Sequence, residues 1–186
     1  LASGRFVSRR DMMLLLAALV AGAESRLQEL ATAYYEGNIA PAVWVEQMRT
    51  EQRRLTIQHI ALAAGGFATM TPALYGRAGY SLRQQYPKII GTAQDVQDGN
   101  VTLPQLLNRI VDYVGAARML YYATQRDNGG TIAEGMTTIA RRRLDPFARH
   151  CVDCPEYYSR GWVMLSELIA PGEQCQCGGH CRCSVD

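Results

Sequence analysis

The residues of this sequence that could do chemistry are its cysteines, which are confined to one short stretch. Residues 1–150 contain none, and the six that follow are Cys151, Cys154, Cys175, Cys177, Cys181 and Cys183. The first two form a Cys-x-x-Cys pair, and two cysteines at this spacing in a tight turn can both face one ion. The others arrive about twenty residues later and can complete the tetrahedron of ligands that zinc prefers. The pattern therefore predicts a site for about one zinc ion per chain.

Disulfide bridges, free thiols and a different soft-ligand metal are the alternatives that the spacing leaves open. Disulfides usually spread over the part of a fold that lacks a core, whereas these cysteines converge on one region. A zinc ion held by four thiolates has no open coordination position, so it would be structural and not catalytic. We expect such an ion to contribute folding free energy to the residues around it.

More donor groups are present than one tetrahedral ion can use. The predicted ligands are Cys151, Cys154, Cys177 and Cys181. The last two are chosen because they bracket Gly178-Gly179, which lets the backbone curl around the ion. The alternates are Cys175, Cys183 and His180, with His150 as a more remote candidate. We expect His180 to lie beside the metal or at the surface.

The rest of the chain predicts a mainly α-helical body over residues 1–145, followed by a zinc-ribbon-like module over residues 146–186. Apolar spacing, with glycine and proline as boundaries, predicts helices over residues 9–36, 41–64, 71–98, 103–128 and 131–144. Pro87 is expected to kink or split the third helix. The second should bury Trp44, Met48, Leu55 and Leu62 on one face. No strand is expected outside the cysteine-rich tail.

Composition limits the classes of function. Apolar residues make up 48% and charged residues 19%, as in an ordinary folded protein. The formal net charge of +2 provides no global field for binding nucleic acid. The apolar run at residues 12–20 is too short to span a bilayer, so no membrane contact is expected. The sequence contains no Gly-rich phosphate loop, His-Glu-x-x-His helix or Gly-x-Ser-x-Gly turn, which favours a protein that is not an enzyme.

Arginine and tyrosine groups are the candidates for contact with a partner. Adjacent tyrosines cannot both face one core, so one member of each pair is expected at an interface. A solvated helix face is the default explanation for the arginine groups, and the triplet that precedes the cysteine-rich tail is the best candidate for contact with an acidic protein surface or phosphates. The predicted partner-binding residues are Tyr34, Tyr35, Tyr121, Tyr122, Arg141, Arg142 and Arg143.

The tail has a pattern that resembles a known family. It reads Cys-x-x-Cys from Cys151, then Gly161-Trp162 and Pro171-Gly172, and finally Cys-x-x-x-Cys-Arg-Cys from Cys177. This resembles the end of minor head proteins of tailed bacteriophages, with His180 in place of the usual asparagine and Cys175 as an addition.

The resemblance implies a virion structural protein of the head interior, portal vertex or head–tail junction. It would be present in several copies and contact portal, capsid or connector proteins, with packaged DNA as a further expected contact. Its location would be the virion, and the host cytoplasm during assembly.

Two other classes remain open. The first is a zinc-ribbon nucleic-acid-binding protein, in which arginines around the metal module supply phosphate contacts. These would be Arg141, Arg142, Arg143, Arg149, Arg160 and Arg182. The second is an enzyme with an open zinc site that uses His180 and fewer thiolates, but the surplus of cysteines favours a closed site.

Overall fold

Four long helices form most of the protein. The computed structural model describes residues 9–129 and 139–185. The helices are α1 (Arg9–Tyr35), α2 (Pro41–Ala64), α3 (Pro72–Gln97) and α4 (Leu103–Gly129), with a 3-10 turn, Phe67–Thr69, between α2 and α3. The prediction of a mainly helical fold with a C-terminal cysteine cluster is confirmed.

The helix boundaries follow from proline and glycine. α2 and α3 each begin at a proline, whose missing N–H costs nothing in the first turn. Gly65 ends α2 in the left-handed conformation (φ 95°), and the Gly66 N–H donates to the Ala61 carbonyl at 2.7 Å. Of the kink or split expected at Pro87, the split does not occur, because α3 continues on both sides of this proline.

The main core lies around α2, which packs against the other three long helices. Trp44 stacks on Tyr34 with ring centroids 4.8 Å apart, and the Tyr34 hydroxyl donates to the Ala93 carbonyl at 2.8 Å. Met48 and Leu55 are buried in the same cluster, as the sequence predicted. Leu62 is only partly buried and packs instead against a second cluster beside the tail.

One face of α2 also buries polar side chains. Gln52 donates from Nε2 to the Tyr113 carbonyl of α4 at 3.0 Å. His59 is fully buried, and its Nδ1–H donates to the Leu55 carbonyl at 2.9 Å. Its Nε2 has no hydrogen-bond partner among the described residues. Burial lowers the pKa of His59 to about 4, although the hydrogen bond to Leu55 opposes the shift. The ring is therefore neutral at pH 7.

Residues 139–144 are not helical, so the predicted fifth helix is wrong there; its residues 131–138 lie outside the described ranges. β1 (Ile139–Ala140) pairs antiparallel with β3 (Val163–Met164), and β2 (Arg142–Arg143) pairs antiparallel with β4 (Ser184–Val185). These partners are distant in sequence, and such tertiary pairing overrides local helix propensity. The pairing crosses the domain boundary predicted at residue 145. The remaining helix, α5 (Asp153–Ser159), lies between β2 and β3.

The tail packs directly on the helical body. Leu16 of α1 and Tyr121 and Tyr122 of α4 form one apolar cluster with residues of the tail. Those residues are Ala140, Leu168, Ala170 and Val185. At the edge of this contact the Arg126 guanidinium lies 2.6 Å from the Glu173 carboxylate. α1 and α4 therefore support the cysteine-rich module.

His59 should make stability depend on pH. Its folded pKa lies below the unfolded value of 6.5, so its contribution is present above pH 6.5 and is lost as the pH falls towards 4. Between pH 7 and pH 5 this loss should be about 2 kcal/mol. Urea unfolding followed by circular dichroism at 222 nm should show it. His59→Gln should flatten the dependence, whereas the surface variant His180→Gln should keep it. An equal slope in His59→Gln and in the unaltered protein would contradict the assignment.

Candidate metal centre

The sulfur atoms of the six cysteines meet beside the N-terminus of α5, around the buried Cys154. The Cys154 Sγ lies 3.5 Å from that of Cys151 and 3.2 Å from that of Cys177. The sulfurs of Cys151 and Cys177 are 3.2 Å apart. All six cysteines are free thiols in the structure. Sulfur ligands of a tetrahedral zinc ion lie about 3.8 Å from each other, given Zn–S bonds of about 2.3 Å. Small adjustments would therefore place these three sulfurs around one ion.

The fourth thiol beside these three belongs to Cys175. Its Sγ is 3.6 Å from that of Cys177, and the sulfurs of Cys151, Cys154, Cys175 and Cys177 all lie within 4.8 Å of one another. Cys181, the predicted fourth ligand, lies outside this group of four, with its sulfur 3.9 Å from that of Cys154. The structure thus brings together three of the four predicted ligands and adds one of the alternates.

A second group of donors adjoins the first. His150 Nδ1 lies 3.7 Å from the Cys183 Sγ, and both lie within 4.8 Å of the Cys154 Sγ. His150 Nε2 is 2.8 Å from the Asp145 carbonyl, which can only accept, so Nε2 carries the proton. Nδ1 then presents its lone pair to the sulfurs. His180 instead lies with its Nε2 3.0 Å from the Asp112 carboxylate on α4.

Backbone turns hold the cysteines in place. The Cys154 N–H donates to the Cys151 carbonyl at 3.2 Å, which closes the turn that opens α5. The Asp153 carboxylate accepts from the Gln176 N–H at 2.7 Å and so ties this turn to the second group of cysteines. The Gly172 N–H donates to the Cys175 Sγ at 3.3 Å. Backbone N–H groups directed at sulfur favour thiolates, which are the form that binds metal.

Arg142 is the main charge in this cluster and is fully buried. Its Nη2 donates to the Cys175 Sγ at 3.3 Å and to the Cys181 Sγ at 3.1 Å. Its Nε and Nη1 have no hydrogen-bond partner within the described ranges. A buried guanidinium is costly unless an anion faces it. The nearby sulfurs are therefore expected to be negative.

The thiols cannot all ionise without further cations. A hydrogen bond with Cys183 and the charge of Arg142 lower the pKa of Cys181 to about 3, against the effect of burial. Burial raises the pKa of Cys154 to about 12, although a hydrogen bond with Cys177 opposes the shift. One guanidinium cannot balance six adjacent thiolates, and divalent metal ions bound among them would offset more of this negative charge. The chemistry and distances of the cluster fit a metal site.

Several predicted partner-binding residues are buried, which corrects their expected place at the surface. Tyr34 lies in the main core, and Arg142 faces the cysteines. Tyr121 and Tyr122 are both buried because α4 is covered by other helices on one side and by the tail on the other. The three that keep surface exposure are Tyr35, Arg141 and Arg143. Two adjacent aromatic residues can both be buried only when their helix is covered on two sides. The sequence around them gives no signal that α4 is covered in this way.

Arg142→Met should destabilise the tail module. Removing one partner of a buried charge contact lowers the free energy of unfolding by about 3–5 kcal/mol. Arg143→Met, at the exposed neighbouring position, should lower it by less than about 0.5 kcal/mol. Hydrogen exchange measured by mass spectrometry should show faster exchange in residues 170–185 for Arg142→Met only. Helix α2 should remain protected in both variants. Equal exchange of the tail in the two variants would show that the Arg142 contact is dispensable.

Gly172→Ala should separate the tail from α4. Gly172 has φ 86°, and an added Cβ would lie 2.6 Å from the Gly178 carbonyl oxygen and 2.9 Å from the Met119 sulfur. Gly161 also has positive φ, but a Cβ there meets nothing within 4 Å among the described residues, so Gly161→Ala serves as the matched control. The control should lose about 1 kcal/mol from backbone strain alone. In urea unfolding, Gly172→Ala should lose at least about twice as much. Equal losses would mean that the contact relaxes freely.

Among the helices described, none combines the length and the apolar character needed to cross a lipid bilayer. Comparison of the chain with protein-family models, with curated proteins and with solved structures found no match.

Proposed function

We propose that this chain is a structural component of a tailed-phage virion, of the minor-head type, that acts by protein–protein assembly. The resemblance of its tail to the ends of such proteins supports the class. The observation that carries the proposal is an exposed apolar face on the β1–β3 ribbon. The structural metal is proposed to be zinc, and it would hold the module that presents this face.

The exposed surface of the β1–β3 ribbon, here called the ribbon face, consists of Ile139, Arg141, Trp162 and Met164. Ile139 is paired with Met164, and about half of each of the Ile139 and Trp162 side chains is exposed (53% and 53%). The Arg141 guanidinium lies 5.0 Å from the centroid of the Trp162 ring. Ala140 on the opposite side is buried against the helical body. Among residues 9–129 and 139–185, the ribbon therefore packs on the protein through its Ala140 side.

The composition of the ribbon face suits a protein partner. Tryptophan, methionine and arginine are enriched at protein interfaces, and tryptophan and arginine supply most of the residues that dominate binding energy. Contiguous exposed apolar groups are also a recognised sign of a protein-binding site. We infer that neighbouring portal, capsid or connector subunits cover this face in the particle.

Zinc is the metal that best suits the donors. Thiolate and imidazole ligands in tetrahedral array favour zinc over calcium, magnesium or manganese, which prefer oxygen ligands. Arg142 contacts the cysteine sulfurs, and Arg141, the preceding residue, contacts Trp162. The metal would thus fix the strand that forms part of the ribbon face. This role requires binding and no catalysis.

The nucleic-acid class receives less support because several arginines of the tail already face carboxylates. Arg160 lies 2.9 Å from Glu156, and Arg182 lies 3.6 Å from Glu24. Arg142 is buried among the cysteines. These contacts reduce the positive charge that the module can offer to phosphates, on which such binding depends.

The test is to make the ribbon face polar. The triple variant Ile139→Ser, Trp162→Ser, Met164→Ser should reduce incorporation into particles by at least about thirtyfold, the equivalent of losing 2 kcal/mol at the centre of an interface. Incorporation is measured by mass spectrometry of purified virions. Tyr75→Ser with Tyr80→Ser is the matched control, since these tyrosines are exposed on α3 instead. Circular dichroism should show unchanged helix in both variants.

DNA binding by the purified protein at two salt concentrations separates the classes. The assembly proposal expects negligible affinity at either salt concentration. Normal incorporation of the triple variant, together with tight binding that weakens steeply with salt, would contradict the proposal and favour the nucleic-acid class.

A further inference from the structure

We propose that the tail binds two zinc ions in one cluster, with the Cys154 thiolate bridging them. The first ion would be held by Cys151, Cys154, Cys175 and Cys177, and the second by Cys154, Cys181, Cys183 and His150. This inference rests on the proposed zinc site and extends it from a single ion to a pair.

The number of donors fits two ions that share one ligand. Six cysteines and His150 provide seven donor groups around one buried centre. Two tetrahedral ions need eight coordination positions, and seven donors fill eight when one thiolate binds both ions. A single ion would use only four of them. It would leave Cys181 and Cys183 as fully buried thiols and the His150 lone pair without a use.

Cys154 occupies the position that a bridge requires. It is fully buried and belongs to both donor groups, one with Cys151, Cys175 and Cys177 and the other with His150 and Cys183. Its sulfur lies 3.2 Å from that of Cys177, in the first group, and 3.9 Å from that of Cys181, which is not part of that group. Both distances are close to the ligand separation of about 3.8 Å in a zinc–sulfur tetrahedron.

The second site has the features of a histidine-containing zinc site. A sulfur and a nitrogen bound to one tetrahedral zinc lie about 3.5 Å apart, and Cys183 Sγ is 3.7 Å from His150 Nδ1. Histidine ligands usually donate their other ring N–H to a backbone carbonyl or carboxylate, which fixes the ring. His150 does so through Nε2 to the Asp145 carbonyl at 2.8 Å. Cys181 is assigned as the fourth ligand because its sulfur lies 3.9 Å from that of Cys154.

Arg142 connects the two halves electrostatically. Its Nη2 donates to Cys175 of the first site and to Cys181 of the second. These two contacts, at 3.3 Å and 3.1 Å, place one buried guanidinium between a sulfur of each proposed site. With both sites filled, six thiolates exceed the charge of two zinc ions by two negative charges, and Arg142 offsets one of them.

The zinc content of the full chain is the first test. Protein purified under reducing conditions from zinc-supplemented cells is analysed for zinc by elemental mass spectrometry and for total mass by native mass spectrometry. Two ions per chain are expected. One ion per chain would overturn the pair and leave the single-site proposal standing. Zinc-free protein would overturn both.

Variants identify which donors belong to which ion. Cys183→Ser and His150→Ala should each halve the zinc content, because the first site does not use these residues. Cys151→Ser should also halve it and leave the second ion. His180→Ala is the matched control and should keep both ions, since its side chain faces Asp112. Full zinc content in both Cys183→Ser and His150→Ala would overturn the second site.

The bridge itself is tested by substitution with cadmium-113. NMR spectra should show two resonances, one from a four-sulfur site and one from a site with three sulfurs and a nitrogen. Scalar coupling between the two cadmium nuclei is expected through the shared Cys154 sulfur. Two uncoupled resonances would overturn the bridge, and a single four-sulfur resonance would overturn the pair.

Discussion

The contact between the Arg142 guanidinium and the cysteine sulfurs is the interaction on which the tail depends. It places a permanent cation in a site without solvent, where its cost is offset only if the surrounding sulfurs carry negative charge. Arg142 favours the thiolate form of Cys181, whereas burial raises the pKa of Cys154, so the proposed metal would supply the further positive charge. Three parts of the tail meet at this contact. They are β2, the turn before α5, and the group of cysteines that begins at Cys175. The short strands have little apolar core of their own, so this contact adds to the apolar packing of the tail on α1 and α4.

The long helices were readable from sequence because their signals are local. Pro41 and Pro72 begin α2 and α3, and Gly65 and Gly99 follow the ends of α2 and α3 with positive φ. The convergence of Cys151, Cys154 and Cys177 was also readable, since a short turn fixes each spacing. The place of Cys175 could not be predicted in this way, because it depends on Arg142, which approaches from a distant segment.

The strands at residues 139–143 could not be predicted either, because they too depend on distant segments of the chain. Nothing in this segment signals a strand by itself, since each pair has only two residues and its partner lies about twenty to forty residues further along the chain. Burial of both Tyr121 and Tyr122 likewise follows from packing of the tail on α4. Where a residue's environment is supplied by a distant segment, its type and neighbours in sequence carry no record of it.

The alternation of neighbouring residues along the strands has a consequence for the timing of assembly. Arg141 and Arg142 are joined by one peptide bond, yet one contacts Trp162 at the surface and the other contacts the buried sulfurs. A newly made chain that has not yet captured its metal would lack the anchor for this strand, and with it the surface proposed to meet neighbouring subunits. Binding of the proposed metal would then select the chains that are incorporated. Only chains that have completed their fold would present the surface for incorporation, and incompletely folded copies would be left out of the proposed particle.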